Sequence, residues 1–397
     1  MKTQRIHTIL LVLAVMLMLY SCSSSSGGGV GGSGIISRGT ITEVGSIIVN
    51  GTYFSTDSAV IVVDGEEIGM GDTVVLDNLD IGRVVTVSGL LVDGEDTAVA
   101  DRVTYNDDVK GPVNGMTIIG SETRELTVMG QSVMLNSLTS FKTVTFETIA
   151  PNDVVEVSGF YDDNGIIWAS FLEKIGEFTP GLIYEVKGFI ASLDTDQKTF
   201  LINGLLVDYS GEDVDTSGLQ DGVPVAGLLV ETEGIVDFTG VNMLAQRIDL
   251  EDELGAENAD EVEVMGFVTG FVSAYEFTVG NQVVVVDGDA LFVDGTPQDV
   301  APGIKLEAEG TLADGILYAE EIEFWEPDQI EIEGVVTVFV SIFEFSVDDQ
   351  VVNTTTETVY EDGTSGDLEM GVHVEIKGRM VGGVMMADKV SFELGDI

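Results

Sequence analysis

The chain has 397 residues, 48 of them glycine, and a formal net charge of −53 from 69 acidic and 16 basic residues. That balance argues against nucleic-acid partners, which need clustered Lys and Arg, and against adsorption to anionic lipid headgroups. The single cysteine, Cys22, leaves no disulfide framework and no thiolate metal site, so strand pairing and core packing must hold the fold.

Lys2 and Arg5 precede an apolar run from Ile9 to Tyr20, too short to span a bilayer. The run ends Leu19-Tyr20-Ser21-Cys22, which resembles the lipobox of bacterial lipoproteins, with Tyr20 in place of the usual small residue. The resemblance implies a signal peptide over 1–21, cleavage before Cys22 and lipid on its thiol and amine. Several acyl chains on one residue make a stable membrane anchor. The segment 22–37, rich in Ser and Gly, reads as a flexible tether. Ser23, rather than Asp, after the cysteine resembles the pattern for outer-membrane sorting, on the periplasmic side or the cell surface.

The rest of the chain repeats. Segments GRVVTVSG, NDVVEVSG, GLLVETEG, GIKLEAEG and GVHVEIKG end in Gly89, Gly159, Gly234, Gly310 and Gly378, spaced 70, 75, 76 and 68 residues apart. Such a period means copies of one small unit. We assign five β repeats: 38–108, 109–175, 182–252, 261–325 and 330–395. Each opens with a strand around a glycine (Gly39, Gly111, Gly188, Gly266, Gly334), as a bulge or bend requires. Pro112 suggests a sheet edge there. A hairpin follows, signalled by Asn50-Gly51 and Asn203-Gly204 and matched by Met129-Gly130, Gly280-Asn281 and Asp348-Asp349. Leu126, Phe200, Phe277 and Phe345 lead these hairpins and read as core.

After a polar segment comes the closing-glycine strand. Val85 and Val87, Val155 and Val157, and Leu306 and Ala308 face inward; Glu307 and Glu309 form an acidic outer face. A turn and a last strand complete the unit, with an alanine at one recurring position: Ala100, Ala169, Ala245, Ala319 and Ala387. Five short strands in this order predict an all-β chain, a tandem array of five small antiparallel OB-like β-barrels. The Val-Lys-Gly opening, Asn-Gly hairpin, Gly-x-x-Val-x-Val-x-Gly strand and Asp-Gly-x-x-x-Ala close, over residues 38 to 395, resemble DUF5666, a family of tandem bacterial envelope domains. The resemblance brings a class and no activity.

Chemistry is sparse. His373 is the one histidine beyond the expected signal peptide and aligns with Val84, Val154, Leu229 and Lys305; the lysine marks that position as solvated. A single His without Cys supports neither a zinc site nor a nucleophile–base pair repeated along the chain. Asp194-Thr195-Asp196, Asp162-Asp163-Asn164-Gly165 and Asn106-Asp107-Asp108 offer hard oxygen ligands for weak divalent-cation binding, but none completes a twelve-residue calcium loop, and they read as solvated turns. No catalytic residue, cofactor or resident metal is expected. The reading is a lipid-anchored, non-catalytic envelope protein acting as spacer, scaffold or binding array, with an envelope protein or glycan as partner. The alternative is a carboxylate-dependent hydrolase of envelope or extracellular glycans. Soft linkers at 251–261 and 326–330, with the charge, predict an extended, articulated arm.

Overall fold

Alternating β-branched and polar residues, punctuated by glycine, fold as strands in the computed structural model of this protein, which describes residues 34–92, 97–120, 123–237, 239–325, 329–347, 350–381 and 384–392. Cys22, the signal peptide, Asp348-Asp349 and the 326–328 part of the expected linker lie outside the described residues.

Repeat 1 contains β1 (Gly34–Glu43), β2 (Ile47–Val49), β3 (Thr52–Ser55), β4 (Val60–Val63), β5 (Glu66–Met70), α1 (Asp72–Asn78), β6 (Val84–Leu91) and β7 (Thr97–Tyr105). Repeat 2 contains β8 (Val109–Ile118), β9 (Arg124–Val128), β10 (Gln131–Leu135), β11 (Ser140–Lys142), β12 (Asp153–Tyr161) and β13 (Ile167–Glu177). Repeat 3 contains β14 (Ile183–Phe189), β15 (Ala191–Asp194), β16 (Thr199–Ile202), β17 (Leu205–Asp208), β18 (Leu229–Val236) and β19 (Asn242–Leu250). Repeat 4 has β20 (Ala259–Ser273), β21 (Glu276–Val279), β22 (Gln282–Val293), β23 (Lys305–Ala313) and β24 (Ile316–Trp325). Repeat 5 has β25 (Ile330–Ser341), β26 (Glu344–Val347), β27 (Gln350–Asn353), β28 (Val359–Glu361), β29 (His373–Val381) and β30 (Val384–Phe392).

The protein is all-β, and its three sheets close on themselves through five-stranded circuits. In repeat 1 the circuit runs β1–β2–β3–β7–β6 and back to β1, with the β3–β7 pairing parallel. Repeat 4 repeats it as β20–β21–β22–β24–β23. The first hairpin turns as expected, with Asn50 and Gly51 at φ 51° and 76°. Leu126, Phe200, Phe277 and Phe345 are buried in the cores.

One constraint recurs at the closing glycines. Gly89, Gly159, Gly234, Gly310 and Gly378 each sit at a register shift opposite Ala100, Ala169, Ala245, Ala319 and Ala387. A Cβ at any of the five would overlap the carbonyl oxygen just before that alanine. The bulge brings backbone onto backbone, so only glycine fits, and the facing alanine keeps the approach short.

Four expectations are corrected. Gly34–Ser37, read as tether, is strand, because Ile35 and Ile36 have apolar sites to fill. Pro112 is not at an edge: it faces Val154 of β12 where the other side of β8 passes from β14 to β9. The 251–261 segment is not soft. Glu253 pairs with Arg38, its carbonyl takes the Thr86 hydroxyl (2.6 Å), and Leu254 is buried in the repeat 4 core. Nor are the repeats an articulated arm, since Ser33–Ile397 forms one compact unit. β1 pairs in parallel with β20, from Ile35↔Glu261 to Arg38↔Val264, and β8 pairs with β14 through Lys110↔Glu185. Self-repulsion is overcome because these contacts bury apolar side chains and pair the charges between repeats.

Replacing Gly310 with Ala should cost about 1–3 kcal/mol, the usual range for forcing atoms into a packed site, seen as a lower thermal midpoint. Gly176→Ala, where a Cβ meets nothing within 4 Å, should leave the midpoint unchanged.

Candidate functional site

The outward face of repeat 4 is laid out in three rows across β20, β23 and β24. Cross-strand register places Phe267, Lys305 and Trp325 in one row. Met265, Glu307 and Glu323 form the next, and Glu263, Glu309 and Glu321 the third. The period-two pleat sends all nine side chains to the face opposite the core of their own repeat. That face is not free: Val84 of repeat 1 and Phe160 and Trp168 of repeat 2 pack on its aromatic end.

A cavity of about 370 Å³ opens beside this contact, between repeats 1, 2, 4 and 5. Both tryptophans of the chain line it. Trp168 lies 6.0 Å from Phe267, ring centre to ring centre, and donates its indole N–H to Asp162 (3.1 Å). Trp325 is 8 % exposed, and its indole nitrogen is buried without a hydrogen-bond partner. Lys305 stands over the rings of Phe160 (5.7 Å) and Trp325 (5.5 Å). The rim is polar, with Asn136, Ser137, Thr139, Ser140 and Ser170. The site combines flat apolar walls, one buried cation and a hydroxyl-rich edge.

Charges cluster at the other junctions. Arg83 of repeat 1 pairs with Glu156 and Glu173 of repeat 2 and is sandwiched between the rings of Tyr105 and Phe171, 4.4 and 4.3 Å away. Burial opposes its charge, but Tyr105, Glu156 and Asp80 outweigh that, and its pKa goes up. The Tyr105 hydroxyl donates to Glu156 (2.9 Å), and burial, with the Glu156 charge, pushes its pKa well up. Lys187 of repeat 3 pairs with Asp108, the last residue of repeat 1 (3.2 Å). Lys377 of repeat 5 pairs with Glu323 of repeat 4 and with Glu331 (3.3 Å).

The residues singled out from sequence land in different places. His373 lies on β29 opposite Val335, its Nε2 3.9 Å from Glu333, away from the aromatic cavity. Cys22 is outside the described residues. Lys305 is not solvated but 9 % exposed, because its outward position is covered by repeat 2. Two of the three acidic loops are turns: Asp194 accepts the backbone N–H groups of Asp196 and Gln197, and Asp162 those of Asn164 and Ile166. The third is not. Asp107 and Asp108 are buried where the end of repeat 1 meets repeats 2 and 3. Oxygens of Asp64, Asp107 and Glu185 converge within 4.8 Å, but Lys110 Nζ already stands among them at 3.0, 3.7 and 3.4 Å. Its ammonium supplies the charge that a metal would bring. The aromatic cavity itself had one sequence signal: repeat 4 carries Met265 where repeats 2 and 3 carry Lys110 and Lys187.

Comparison with known families finds a domain of unknown function, DUF5666, matched at residues 110–173, 265–323 and 333–391. The matches fall on repeats 2, 4 and 5. No curated protein matches the chain. Among solved structures, one described as "drosophila Unr CSD456" matches at 14 % identity over 53 % of this chain and 97 % of its own, with a TM-score of 0.14. A score that low constrains neither fold nor ligand. Phe160 and Trp168 of repeat 2 and Met265, Phe267 and Lys305 of repeat 4 lie within the matched segments, whereas Trp325 and the repeat 1 part of the lining lie outside them.

The acidic rows of the fourth repeat carry a pH dependence. Burial raises Glu263 to about 7, and burial with the neighbouring Glu263 and Glu323 charges pushes Glu307 well above the ordinary range. Carboxyls raised on folding bind more protons folded than unfolded, so stability falls as pH climbs from the unfolded value toward the folded one. In chelator at constant ionic strength, the thermal midpoint should therefore drop between about pH 5 and pH 8, and Glu263→Gln should flatten that drop.

Proposed function

We propose that the protein is a lipid-anchored, non-catalytic binding protein of the bacterial envelope, built as five OB-like barrels in tandem, and that the aromatic cavity takes a saccharide unit. The observation that carries this reading is the cavity itself. Its volume of about 370 Å³ falls at the lower end of the range for small-ligand sites, roughly 300–1,000 Å³. A sugar ring offers an apolar face for Trp168 and a ring of hydroxyls for the Asn136, Ser137 and Ser140 rim. The buried Trp325 N–H is a donor in want of an acceptor, which a sugar oxygen supplies.

The five-barrel plan is supported by the shared strand circuit. Repeat 3 departs from it where its first strand divides at Ile190, and there Ile190 exchanges backbone hydrogen bonds with the Gly227-Leu228 segment. Binding is favoured over a spacer role because the repeats pack on one another. The anchor rests on the lipobox resemblance at Leu19–Cys22, and outer-membrane placement on Ser23.

Both tryptophans report on the cavity. Titrating the full chain with envelope-derived saccharides should change the intrinsic fluorescence saturably, and Trp168→Ala should weaken the response about tenfold or more, the equivalent of one lost stacking contact. A flat signal with every saccharide, or an unaltered affinity in the variant, removes the cavity as the site. Separately, mass spectrometry should find an acylated N-terminal Cys22, and Cys22→Ser should release the protein from membranes; an unmodified Cys22 rules out the anchor.

A further inference from the structure

The first strand of a repeat has two sides, and in most repeats the outer one is taken by another repeat. β1 of repeat 1 pairs with β20 of repeat 4, and β8 of repeat 2 pairs with β14 of repeat 3. Four first strands are matched in this way as two couples. Among the described residues, β25 of repeat 5 pairs only with β26 and β29 of its own barrel. Over residues 330–334 its side away from β29 is a strand edge with no strand beside it. Burial marks the same difference. Two residues before the first-strand glycine, Ser37, Val109, Val186 and Val264 are buried, and four before it so are Ile35, Asp107, Tyr184 and Val262. The repeat 5 counterparts, Ile332 and Ile330, stay partly exposed. A neighbouring strand is what would cover them.

The couple formed by β8 and β14 shows what such an edge asks of its partner. Val109 lies opposite Val186, and Lys110 opposite Glu185, their charges 3.4 Å apart. Reciprocally, Lys187 meets Asp108, which leads into β8, through its side chain (3.2 Å) and through its backbone N–H, donated to the Asp108 carbonyl (2.9 Å). The residue before each glycine is basic, and the residue it faces is acidic. In repeat 5 both positions, Glu333 and Glu331, are acidic. A second copy docked in the same antiparallel register would set Glu331 against Glu333, which like charge disfavours. Space lies along the edge. Residues 329–332 border the aromatic cavity, and Glu331 and residues 333–335 border a groove of about 700 Å³ between repeats 1, 4 and 5. Glu43, Glu261 and Glu375 also line that groove, and its described lining holds no lysine or arginine. Lys377 reaches Glu331 (3.3 Å) and Glu375 (3.8 Å), but Glu323 holds it too.

We propose that the β25 edge accepts an extended segment of a partner protein, antiparallel, with Lys or Arg at two alternate positions and an apolar residue between them. The main chain of the segment supplies the affinity by completing the ladder, and its alternate side chains supply the selectivity. The apolar residue lies opposite Ile332 and covers it. The two cations lie opposite Glu331 and Glu333, as Lys187 and Lys110 lie opposite Asp108 and Glu185 inside the chain. The same acids keep the edge from pairing with its own kind, since charge on an edge strand is a common guard against self-association. This inference does not rest on the saccharide reading, which concerns the two tryptophans.

The probe is a short, fluorescently labelled peptide of alternating lysine and valine, added to the full chain at constant ionic strength. Its anisotropy should rise saturably, and Glu333→Lys should weaken binding about tenfold or more. Only alternate amides of an added strand face the edge, and the N–H of Lys187 points across its junction. N-methylating the lysine amides of the peptide should therefore abolish binding, while N-methylating the valine amides, with the charge the same, should spare it. This pair of peptides needs only the wild-type protein. Trp168→Ala should leave peptide binding unchanged, which separates this site from the saccharide site. Absence of saturable binding overturns the proposal, as does an unchanged affinity in Glu333→Lys. Equal binding of both methylated peptides overturns it too, and reduces the contact to charge attraction. Wild-type dimers that Glu333→Lys disperses, with no peptide bound, give the edge to a second copy and likewise overturn it.

Discussion

Desolvated charge between repeats is the constraint on which the rest of this structure depends. The chain has sixteen basic residues, and Arg38, Arg83, Lys110, Lys142, Lys187, Lys305, Lys377 and Lys389 stand at junctions between repeats or between a repeat and a linker. Each meets carboxylates or rings that its own repeat does not supply. Taking such groups out of water is expensive, and the expense is recovered only when geometry and partners are good. A mismatched neighbour would leave an uncompensated charge in the seam. The pairings therefore specify which repeat docks on which, more than they add to stability.

Much of the single-repeat architecture was legible in the residues. The closing glycines, the alanine opposite each of them, the Asn50-Gly51 turn and the aromatic core positions follow from local geometry: period-two alternation, a bulge and positive φ. Those rules concern a strand and its immediate neighbours, and they carry no information about what covers the outside of a repeat. Hence Glu307 was assigned correctly to the outward face, while Lys305 was read as solvated although repeat 2 covers it. Asp107 and Asp108 show the same failure in a turn. An acid beside a strand end reads as a surface residue unless the Lys of another repeat, far off in sequence, is known to meet it.

Repeat 4 shows how a site can arise in a repeated scaffold without altering the scaffold. The position before the first-strand glycine is Arg38, Lys110, Lys187, Met265 and Glu333 in the five copies. Where it is basic, it pins a neighbour through carboxylates. Met265 removes that pin and leaves a polarizable side chain between an aromatic row and an acidic one. The basic function moves two strand positions away to Lys305, whose counterpart is apolar in repeats 1, 2 and 3. The inward face, with Leu306, Ala308 and the Gly310 bulge, is unchanged by the exchange.

The parallel pairing of β1 with β20 bears on how the protein is made. Ile35 to Arg38 emerges from the ribosome among the first folded residues, yet its partners at Glu261 to Val264 follow roughly two hundred residues later. Ile36, which fills the repeat 4 core, must wait in the meantime with its apolar side chain uncovered. The outer edge of the first strand is thus a vacancy held open through most of synthesis. A chain truncated before the fourth repeat would present that edge permanently, and an open edge with isoleucine on it recruits other chains.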